Sequence, residues 1–503
     1  MPYFVYEQRL LELITQEQRL DTLFPEGAPR LNLIQLRLSK LALLLGDIFA
    51  FVIAFVLSTI FVVNNNGMNL RAWFDGQSSQ RFTAWALIVI AGVLILLIRF
   101  QHYSERRAFW DELSDFIKLI CFLALIDIAM MAFARWNASR LWWLAVWFLS
   151  FTSLMTMRLI TRQLLKWLRI WVRPTIIIGI GPNAEDAALA LHSQPELGLQ
   201  VIGFVDTFAP SVFGVPATQP RLHQSLIEHV TSQPSVQWVI ALEHAESEER
   251  ERWLRSLAQR GVMDVSVIPA MRGIPLLGTD ISHFFSHEVA LLRMRNNLRR
   301  WPALLTKRVF DTLIALALIV GLSPFLLFIA LLIRRDGGPA LFAHSRVGKS
   351  AKSFHCYKFR TMGVNAEQEL EMLLQQQPEL RERWEGERKL QYDPRVSRFG
   401  KLLRQTSLDE LPQLINVIRG DMSLVGPRPV VSEELPRYGD DIGYYLMVRP
   451  GMTGLWQISG RSDLDYEKRV YLDTWYVKNW SIWYDQIILF KTLGVVIRRA
   501  GAY

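Results

Sequence analysis

Cysteine and histidine are scarce in this 503-residue chain, which contains two cysteines and nine histidines. Cys121 and Cys356 are too few for a disulfide framework or a cysteine-based zinc site, and this scarcity fits a reducing compartment. The sequence contains no RNA- or DNA-binding motif, no Ser-His-Asp arrangement and no Walker phosphate loop. The N-terminal segment lacks the regions of a cleaved signal peptide, so we expect none to be removed. These absences exclude several common classes of hydrolase, nucleotide-hydrolysing enzyme and nucleic-acid-binding protein.

Hydrophobic residues are abundant instead, at 51% of the chain, and the formal net charge is +9. The basic residues cluster beside apolar runs. Anionic lipid headgroups and nucleotide phosphates are therefore better candidate partners than nucleic acid. The length is too great for one hydrophobic core, so we expect two or three domains.

Four apolar runs near the N-terminus each approach the ~20 residues that a helix needs to cross a bilayer. We expect them to span the membrane, although buried helices of a soluble domain are the alternative for the two shorter runs. Basic residues precede the first run, separate the second from the third, and follow the fourth, which places these segments in the cytoplasm. Asp127, within the third run, suits a packing or pairing role. The runs are residues 41–63, 82–100, 116–133 and 141–157.

A strand, a tight turn and a helix are predicted from residue 175 onward. Gly179, Gly181 and Ala184 fit the loose dinucleotide-binding fingerprint, and Asp206 ends the second strand where a ribose-binding acid would lie. Further strands at residues 236–242 and 265–269 complete a Rossmann-like domain. Since Pro182 alters the donors of the turn, we favour a packing or dimer-forming module over a nucleotide-binding one.

A fifth apolar run, residues 312–333, is interrupted by Ser323 and Pro324. Proline alone does not decide how it meets the membrane, because spanning helices tolerate proline. Basic residues flank both ends, so we favour a re-entrant helix, broken at Ser323-Pro324, that enters and leaves the same leaflet over a spanning one. Lys307, Arg308 and Asp311 are the predicted membrane-interface anchors.

The richest stretch for chemistry contains the adjacent acids Asp409 and Glu410. Ser407 and Glu410 have the spacing of a capping box, which predicts that both acids lie in the first turn of a helix. Such a turn stabilises carboxylates and suits phosphate, although an ordinary helix cap is the plainer interpretation. Arg404 precedes the acids, and Arg428 follows between two prolines, as expected of a rigid phosphate clamp. For Arg404 a surface salt bridge is the alternative.

Lys358 and Arg360 alternate with Phe359, so an extended segment would place both cations on one face. A solvated strand edge is the alternative. Paired carboxylates without histidine suit Mg²⁺, which prefers oxygen ligands and is often held by acids together with substrate phosphates. A carboxylate can also act as a nucleophile toward phosphorus.

Three blocks in this region resemble the signature motifs of the bacterial sugar transferases, the polyprenyl-phosphate hexose-1-phosphate transferases. The resemblance covers roughly residues 301–503. It implies that Asp409 attacks the β-phosphate of a UDP-sugar, that Glu410 helps to hold Mg²⁺, and that UMP leaves before polyprenyl phosphate accepts the sugar phosphate. It also implies a monotopic re-entrant helix. The blocks are residues 358–362, 401–429 and 451–461, and the substrate-phosphate ligands are Lys358, Arg360, Arg404, Arg428 and Arg461.

The predicted fold is an α-helical membrane bundle, a Rossmann-like α/β domain, and a mostly α-helical catalytic domain. Its parts are an extension (1–36), the bundle (37–173), the α/β domain (174–296) and the catalytic domain (297–503). The similarity implies a multi-pass protein of the bacterial inner membrane with its catalytic domain on the cytoplasmic face, acting in O-antigen, capsule or exopolysaccharide assembly. The expected partners are UDP-galactose, undecaprenyl phosphate, membrane lipid and a second copy in a homodimer. The choice of galactose follows from the resemblance, because no residue that can be named from the sequence selects it over glucose.

Two hypotheses from other classes stay open. A membrane-tethered, dinucleotide-dependent sugar-nucleotide oxidoreductase or dehydratase would use the turn at Gly179, but that domain has no Tyr-x-x-x-Lys pair. A scaffold or chain-length regulator would use the four membrane helices and would leave the residues around Asp409 unexplained.

Overall fold

The computed structural model describes most of the chain between Leu33 and Ile497. The predicted N-terminal extension up to residue 32, Asp206 and Arg461 lie outside the described residues. The chain forms two compact units, Met1–Arg272 and Gly273–Tyr503. The described residues are 33–67, 69, 71, 79–134, 139–205, 236–262, 264–271, 273, 275, 279–283, 290–294, 298, 300–364, 366–376, 395–460 and 465–497.

Four long helices open the first unit and coincide with the four apolar runs. Each is long and apolar enough to cross a membrane, which indicates membrane association. Phe51, Leu123 and Leu154 pack in the bundle core, while Leu125 and Phe148 are exposed and apolar on the outside, as expected of helices surrounded by lipid. The helices are α1 (Leu33–Asn65), α2 (Ser79–Leu94, continued by a π-helical turn at Ile95–Arg99), α3 (Phe109–Ala134) and α4 (Arg140–Trp167).

Buried charges in this bundle are paired. Arg158 donates from Nε to Asp47 at 2.8 Å, and the Tyr103 hydroxyl donates to the same carboxylate at 2.6 Å. Pairing is required because an isolated buried charge is costly. Asp127 accepts a hydrogen bond from Trp147 Nε1 at 3.1 Å, which confirms its predicted pairing role.

A parallel four-stranded sheet of order β2-β1-β3-β4 completes the first unit and confirms the predicted strands. Ile176 and Trp238 are buried on one face and Ile177 and Val239 on the other. Burial on both faces explains why these strands are continuous hydrophobic runs. The elements are β1 (Arg173–Ile178), α5 (Pro182–His192), β2 (Leu199–Val205), β3 (Gln237–Ile240), α6 (Ser247–Gln259) and β4 (Val265–Val267).

The turn between β1 and α5 has two specific features. Gly179 has φ +127°, and a Cβ there would lie 2.5 Å from the Ala241 carbonyl oxygen, so only glycine fits. Glu243 Oε1 accepts a hydrogen bond from the Asn183 backbone N–H at 2.7 Å. A carboxylate of the chain itself therefore binds the first turn of α5.

The second unit combines helices with short strand pairs. β5 with β6 and β7 with β8 are antiparallel hairpins, whereas β9 and β10 pair in parallel. The elements are β5 (Thr279–His283), β6 (Ala290–Met294), α7 (Trp301–Ile333), β7 (Leu341–Val347), β8 (Ser353–Phe359), α8 (Ala366–Gln376), α9 (Arg398–Gln405), α10 (Gln413–Arg419), β9 (Ser423–Val425), α11 (Ile442–Met447), β10 (Gly451–Thr453), α12 (Leu455–Ile458), α13 (Tyr466–Lys478) and α14 (Ile482–Ile497).

Helix α7 corrects the predicted break at Ser323-Pro324. One α-helix runs from Trp301 to Ile333 with Pro324 inside it. Proline lacks an N–H and therefore removes one helical hydrogen bond, but the neighbouring turns keep the helical backbone here. At ~1.5 Å per residue the helix is about 50 Å long when measured along its axis through any bend. Its middle is apolar and exposed, with Val320 65% and Leu327 62% accessible.

The predicted interface anchors at the start of α7 lie inside the second unit instead. Lys307 Nζ contacts Asp485 Oδ2 at 2.7 Å and the Val425 carbonyl at 3.1 Å. Arg308 donates to the carbonyls of Val417 and Ile418, and Asp311 accepts from Ser423 Oγ at 2.7 Å. These side chains fasten α7 to α10 and β9, because a buried charge needs fixed partners that lipid does not supply.

Candidate active site

Asp409 and Glu410 lie in a single 3₁₀ turn, Leu408–Glu410, and the capping-box prediction is wrong. Ser407 has φ +57° and its hydroxyl makes no capping hydrogen bond. The following helix, α10, starts only after Pro412, its N-cap. The two acids therefore precede the helix in a tight turn.

Apolar residues on both sides of the acids hold this turn against α7. Leu408 packs on a cluster that contains Ile329 and Ile333 from the C-terminal end of α7. Leu411 packs on the core that contains Ala315 from its N-terminal half. Hence the residues on either side of Asp409 and Glu410 share apolar clusters with the two halves of α7.

Lys358, at the end of β8, pairs with the acids. Its Nζ lies 2.7 Å from Glu410 Oε1. Burial lowers the pKa of the Lys358 ammonium, but Glu410 and Asp409 raise it by more, so its net direction is upward. Asp409 is 8% exposed, and burial raises the pKa of its carboxyl to about 6; Lys358 opposes this rise and Glu410 adds to it.

Arg404 joins the site from the last turn of α9. Its Nε donates to Thr361 Oγ1 at 2.9 Å, and its charge lowers the pKa of Asp409. α9 approaches the Thr361 backbone so closely that a Cβ at Gly400 would overlap the Thr361 carbonyl oxygen. Thr361 therefore positions Arg404, and a simple surface salt bridge does not describe it.

Arg428 lies in a loop that the neighbouring backbone holds rigidly. Gly451 N–H donates to the Pro427 carbonyl at 2.8 Å. The Arg428 guanidinium lies 5.2 Å from the Trp456 ring centroid. Burial lowers the pKa of the Arg428 guanidinium and Arg469 lowers it further, whereas Glu434 and, to a smaller extent, Glu410 act in the opposite direction.

Arg360 requires a correction. Its guanidinium donates to the carbonyls of Pro339 at 2.8 Å and Ile333 at 3.1 Å. It therefore fastens the end of α7 to the chain that follows, and we no longer assign it to substrate phosphate. The sequence pattern was misleading because β8 ends at Phe359, so Arg360 does not continue the face of Lys358.

Two positioning residues were missed by sequence reasoning. Asn416 is fully buried in α10; it accepts from the Tyr357 N–H at 3.1 Å and donates to the His355 carbonyl at 2.7 Å. It thereby sets the register of β8 and of Lys358. Its signal was an amide among the apolar residues at the centre of a short helix, where Gln413 is a second buried amide. Asp473 binds the Arg428 backbone and the Tyr438 hydroxyl, and sequence gave no sign of this.

The acids at this site suit a magnesium ion that is bound jointly by the protein and the substrate phosphates. In the part of the chain that the structure describes, no group of three or more His, Cys, Asp or Glu is arranged to hold a metal. Mg²⁺ is commonly held by one or two carboxylates while substrate phosphates and water complete its shell. Asp409 and Glu410 match that donor set.

Comparison with known proteins gives two family matches and several similar relatives. Residues 302–499 match the bacterial sugar transferase family, and residues 102–263 match a CoA-binding domain. A UDP-galactose-lipid carrier transferase of Erwinia amylovora is 43% identical over 93% of this chain and 98% of its own length. Undecaprenyl-phosphate galactose phosphotransferase of Salmonella typhimurium is 42% identical over 93% and 98%. An exopolysaccharide production protein, ExoY, of Sinorhizobium fredii is 50% identical over 40% of this chain and 88% of its own length.

These matches, together with the apolar helices, define a membrane-associated transferase. The chain belongs to the bacterial sugar transferase family.

Asn416→Leu should destabilise the second unit by about 1–3 kcal/mol, because it leaves the Tyr357 N–H and the His355 carbonyl unpaired. Thermal unfolding of the full-length protein in detergent measures this loss, and Ile415→Val on the same helix is the control. An unchanged unfolding temperature in Asn416→Leu would mean that the amide does not hold β8.

Proposed function

We propose that the protein transfers galactose 1-phosphate from UDP-galactose to undecaprenyl phosphate, giving a polyprenyl-diphosphate sugar and UMP. The observation that carries the proposal is the buried Asp409 carboxyl beside Glu410 and Lys358 in a chain of this family. The names of the two relatives aligned along nearly their whole length supply the sugar and the lipid carrier. The reaction would begin the assembly of a surface polysaccharide such as O-antigen, capsule or exopolysaccharide.

In the proposed mechanism Asp409 is the nucleophile. Its carboxylate oxygen attacks the β-phosphorus of the UDP-sugar, the bond from that phosphorus to the bridging oxygen breaks, and UMP leaves with the electron pair. The hexose phosphate stays on Asp409 as an acyl phosphate. An oxygen of undecaprenyl phosphate then attacks the same phosphorus and releases the Asp409 carboxylate.

The cations stabilise the charge that develops during both steps. Phosphoryl transfer depends mainly on positioning and electrostatic stabilisation. Lys358, Arg404 and Arg428 come from three separate elements and are held by Glu410, Thr361 and Trp456 respectively. We assign them to the substrate phosphates. Arg461 remains a predicted phosphate ligand on its motif position alone.

Glu410, with the substrate phosphates, would hold Mg²⁺. The ion would neutralise phosphate charge when bound. Glu410 pairs with Lys358 at 2.7 Å, so this lysine holds the carboxylate in place beside Asp409.

We propose that α7 is re-entrant, with both ends on the cytoplasmic face of the inner membrane. Its N-terminal end is tied to α10 and β9 through Lys307, Arg308 and Asp311, and its C-terminal end packs beside Leu408. Both ends thus contact the same catalytic unit, while the apolar middle is exposed. Pro324 provides a site for a bend, because prolines are common causes of sharp kinks. This arrangement would hold the active site at the height of the acceptor phosphate.

The first unit is proposed to support assembly rather than chemistry. Glu243 binds the N-terminus of α5, which is where a dinucleotide phosphate would bind in a Rossmann fold. The short rhizobial relative aligns with only 40% of this chain. These observations disfavour the oxidoreductase alternative. A homodimer stays a prediction.

The function is tested by incubating the full-length protein with Mg²⁺, undecaprenyl phosphate and either UDP-galactose or UDP-glucose, and measuring UMP. We expect release with UDP-galactose and at least tenfold less with UDP-glucose. Equal rates would leave the reaction class standing but overturn the galactose assignment, and no release with either sugar would overturn the proposed function.

Asp409→Asn should abolish transfer while the protein stays folded and in the membrane, because an amide cannot serve as the nucleophile. Loss of a nucleophile costs many orders of magnitude, far more than the ~1 kcal/mol effect of a changed cap. Asp421→Asn, also in the catalytic unit, is the matched control. Turnover near that of wild type in Asp409→Asn would contradict the mechanism.

The pH dependence follows from the raised pKa of Asp409. Since the ionised carboxylate attacks, kcat/KM for UDP-galactose should rise with pH and level off above an inflection near 6. Lys358→Gln removes a charge that lowers this pKa, so the inflection should move to higher pH. Lys352→Gln, an exposed change on the same hairpin, should leave it in place. An inflection that is the same in Lys358→Gln would show that another group titrates.

The proposed topology predicts labelling from one side. In a background with Cys121→Ser and Cys356→Ser, the variants Trp301→Cys and Arg335→Cys should both react with an impermeant maleimide in inverted vesicles and not in right-side-out cells. Gly321→Cys should be protected in both. Labelling of the two ends from opposite sides would make α7 a spanning helix.

A further inference from the structure

A cavity of about 400 Å³ lies within the first unit, between the ends of the membrane helices and the parallel sheet. On the sheet side it is lined by the first residue of each strand, namely Arg173, Leu199, Gln237 and Val265. It therefore opens at the amino-terminal edge of the sheet. Ligands of open α/β sheets bind at the carboxyl ends of the strands, so this cavity is separate from the turn at Gly179.

The lining of the cavity is predominantly cationic. Five basic side chains face three acidic ones, Glu105, Glu112 and Asp264. The guanidiniums are close enough to affect each other: burial lowers the pKa of Arg106 to about 9, and the charges of Arg173 and Arg162 lower it further. The basic residues are Lys40, Arg106, Arg107, Arg162 and Arg173.

Several buried donors around this cavity have no acceptor within the described structure. They include the Nε–H groups of Arg162 and Arg173 and the indole Nε1–H of Trp171. Arg162 is 8% exposed and Trp171 4%. These N–H groups are closed off from the cavity itself, and the terminal nitrogens of the two arginines contact acids, Arg162 with Glu112 at 2.8 Å and Arg173 with Asp264 at 2.9 Å. A ligand in the cavity would therefore compete with these acids for the guanidiniums.

The wall opposite the sheet is partly apolar. Leu36, Lys40 and Leu43 lie at helical spacing along the start of α1 and all line the cavity. Lys40 is exposed and forms no ion pair within the described ranges. An anionic group would therefore meet a free ammonium at the point where a membrane helix begins.

We propose that this cavity binds a phosphate-bearing ligand that links the membrane bundle to the sheet. A phosphate supplies negative charge and several acceptor oxygens, which suit a lining where basic side chains outnumber acidic ones and Lys40 has no ion pair in the part of the chain that the structure describes. The shared chemistry is a phosphate ester. It can come from an anionic phospholipid headgroup, whose acyl chains would follow Leu36 and Leu43, or from a soluble phosphate compound.

The test has two arms on the full-length protein. In the first, native mass spectrometry counts the phosphatidylglycerol retained after purification from mixed phosphatidylglycerol and phosphatidylethanolamine nanodiscs. In the second, thermal unfolding in detergent is followed against inorganic phosphate and glycerol 3-phosphate. Lys40→Gln and Arg173→Gln are compared with Arg255→Gln, an exposed change on α6 away from the cavity.

We expect wild type and Arg255→Gln to bind alike in one of the arms, and both cavity variants to bind about tenfold more weakly. A response in the lipid arm identifies a headgroup, and one in the detergent arm a soluble ester. If Arg173→Gln does not fold, the binding measured for Lys40→Gln alone still tests the proposal. Binding in neither arm, or binding by Lys40→Gln equal to that of wild type, would overturn the proposal. Because phosphate also meets the catalytic site, only a response that depends on the cavity residues supports it.

Discussion

The packing of both halves of α7 around the catalytic turn is the constraint on which the rest of the second unit depends. Leu408 and Leu411, on either side of Asp409 and Glu410, each pack on a hydrophobic cluster that contains a different part of this helix. Lys307 and Arg308 add charged contacts at one end. A helix that holds the lipid-facing surface therefore also holds the reactive carboxyl, so depth in the membrane and position of the nucleophile are coupled.

The charges around the turn that contains Asp409 determine how much of its carboxyl is ionised. Burial favours a neutral Asp409, whereas Lys358 and Arg404 favour its ionised form, and the resulting pKa of about 6 leaves the carboxylate mostly ionised near neutrality. A nucleophile that is too strongly paired would attack phosphorus poorly. The direct 2.7 Å contact of Lys358 is with Glu410, so Asp409 is stabilised without being sequestered.

Much of this architecture could be predicted from the sequence. Helical apolar runs and the strands of the sheet are local patterns, and both were found close to their predicted positions. Features that depend on tertiary contacts could not be read this way. The capping box failed because Ser407 adopts a left-handed backbone conformation. The anchors Lys307 and Asp311 proved to be buried partners of residues more than a hundred positions away. Arg360 likewise depends on tertiary contacts, because it donates to the carbonyls of Ile333 and Pro339, 27 and 21 positions earlier.

The most direct test of the central claim is to look for the sugar phosphate on Asp409. The full-length protein would be mixed with UDP-galactose and Mg²⁺ without undecaprenyl phosphate, quenched, and its mass measured intact and by peptide. The account predicts about one UMP released per active site and a hexose phosphate on the peptide that carries Asp409, with neither in Asp409→Asn. No adduct, together with UMP release only after the acceptor is added, would contradict a covalent mechanism and indicate direct transfer between the two substrates.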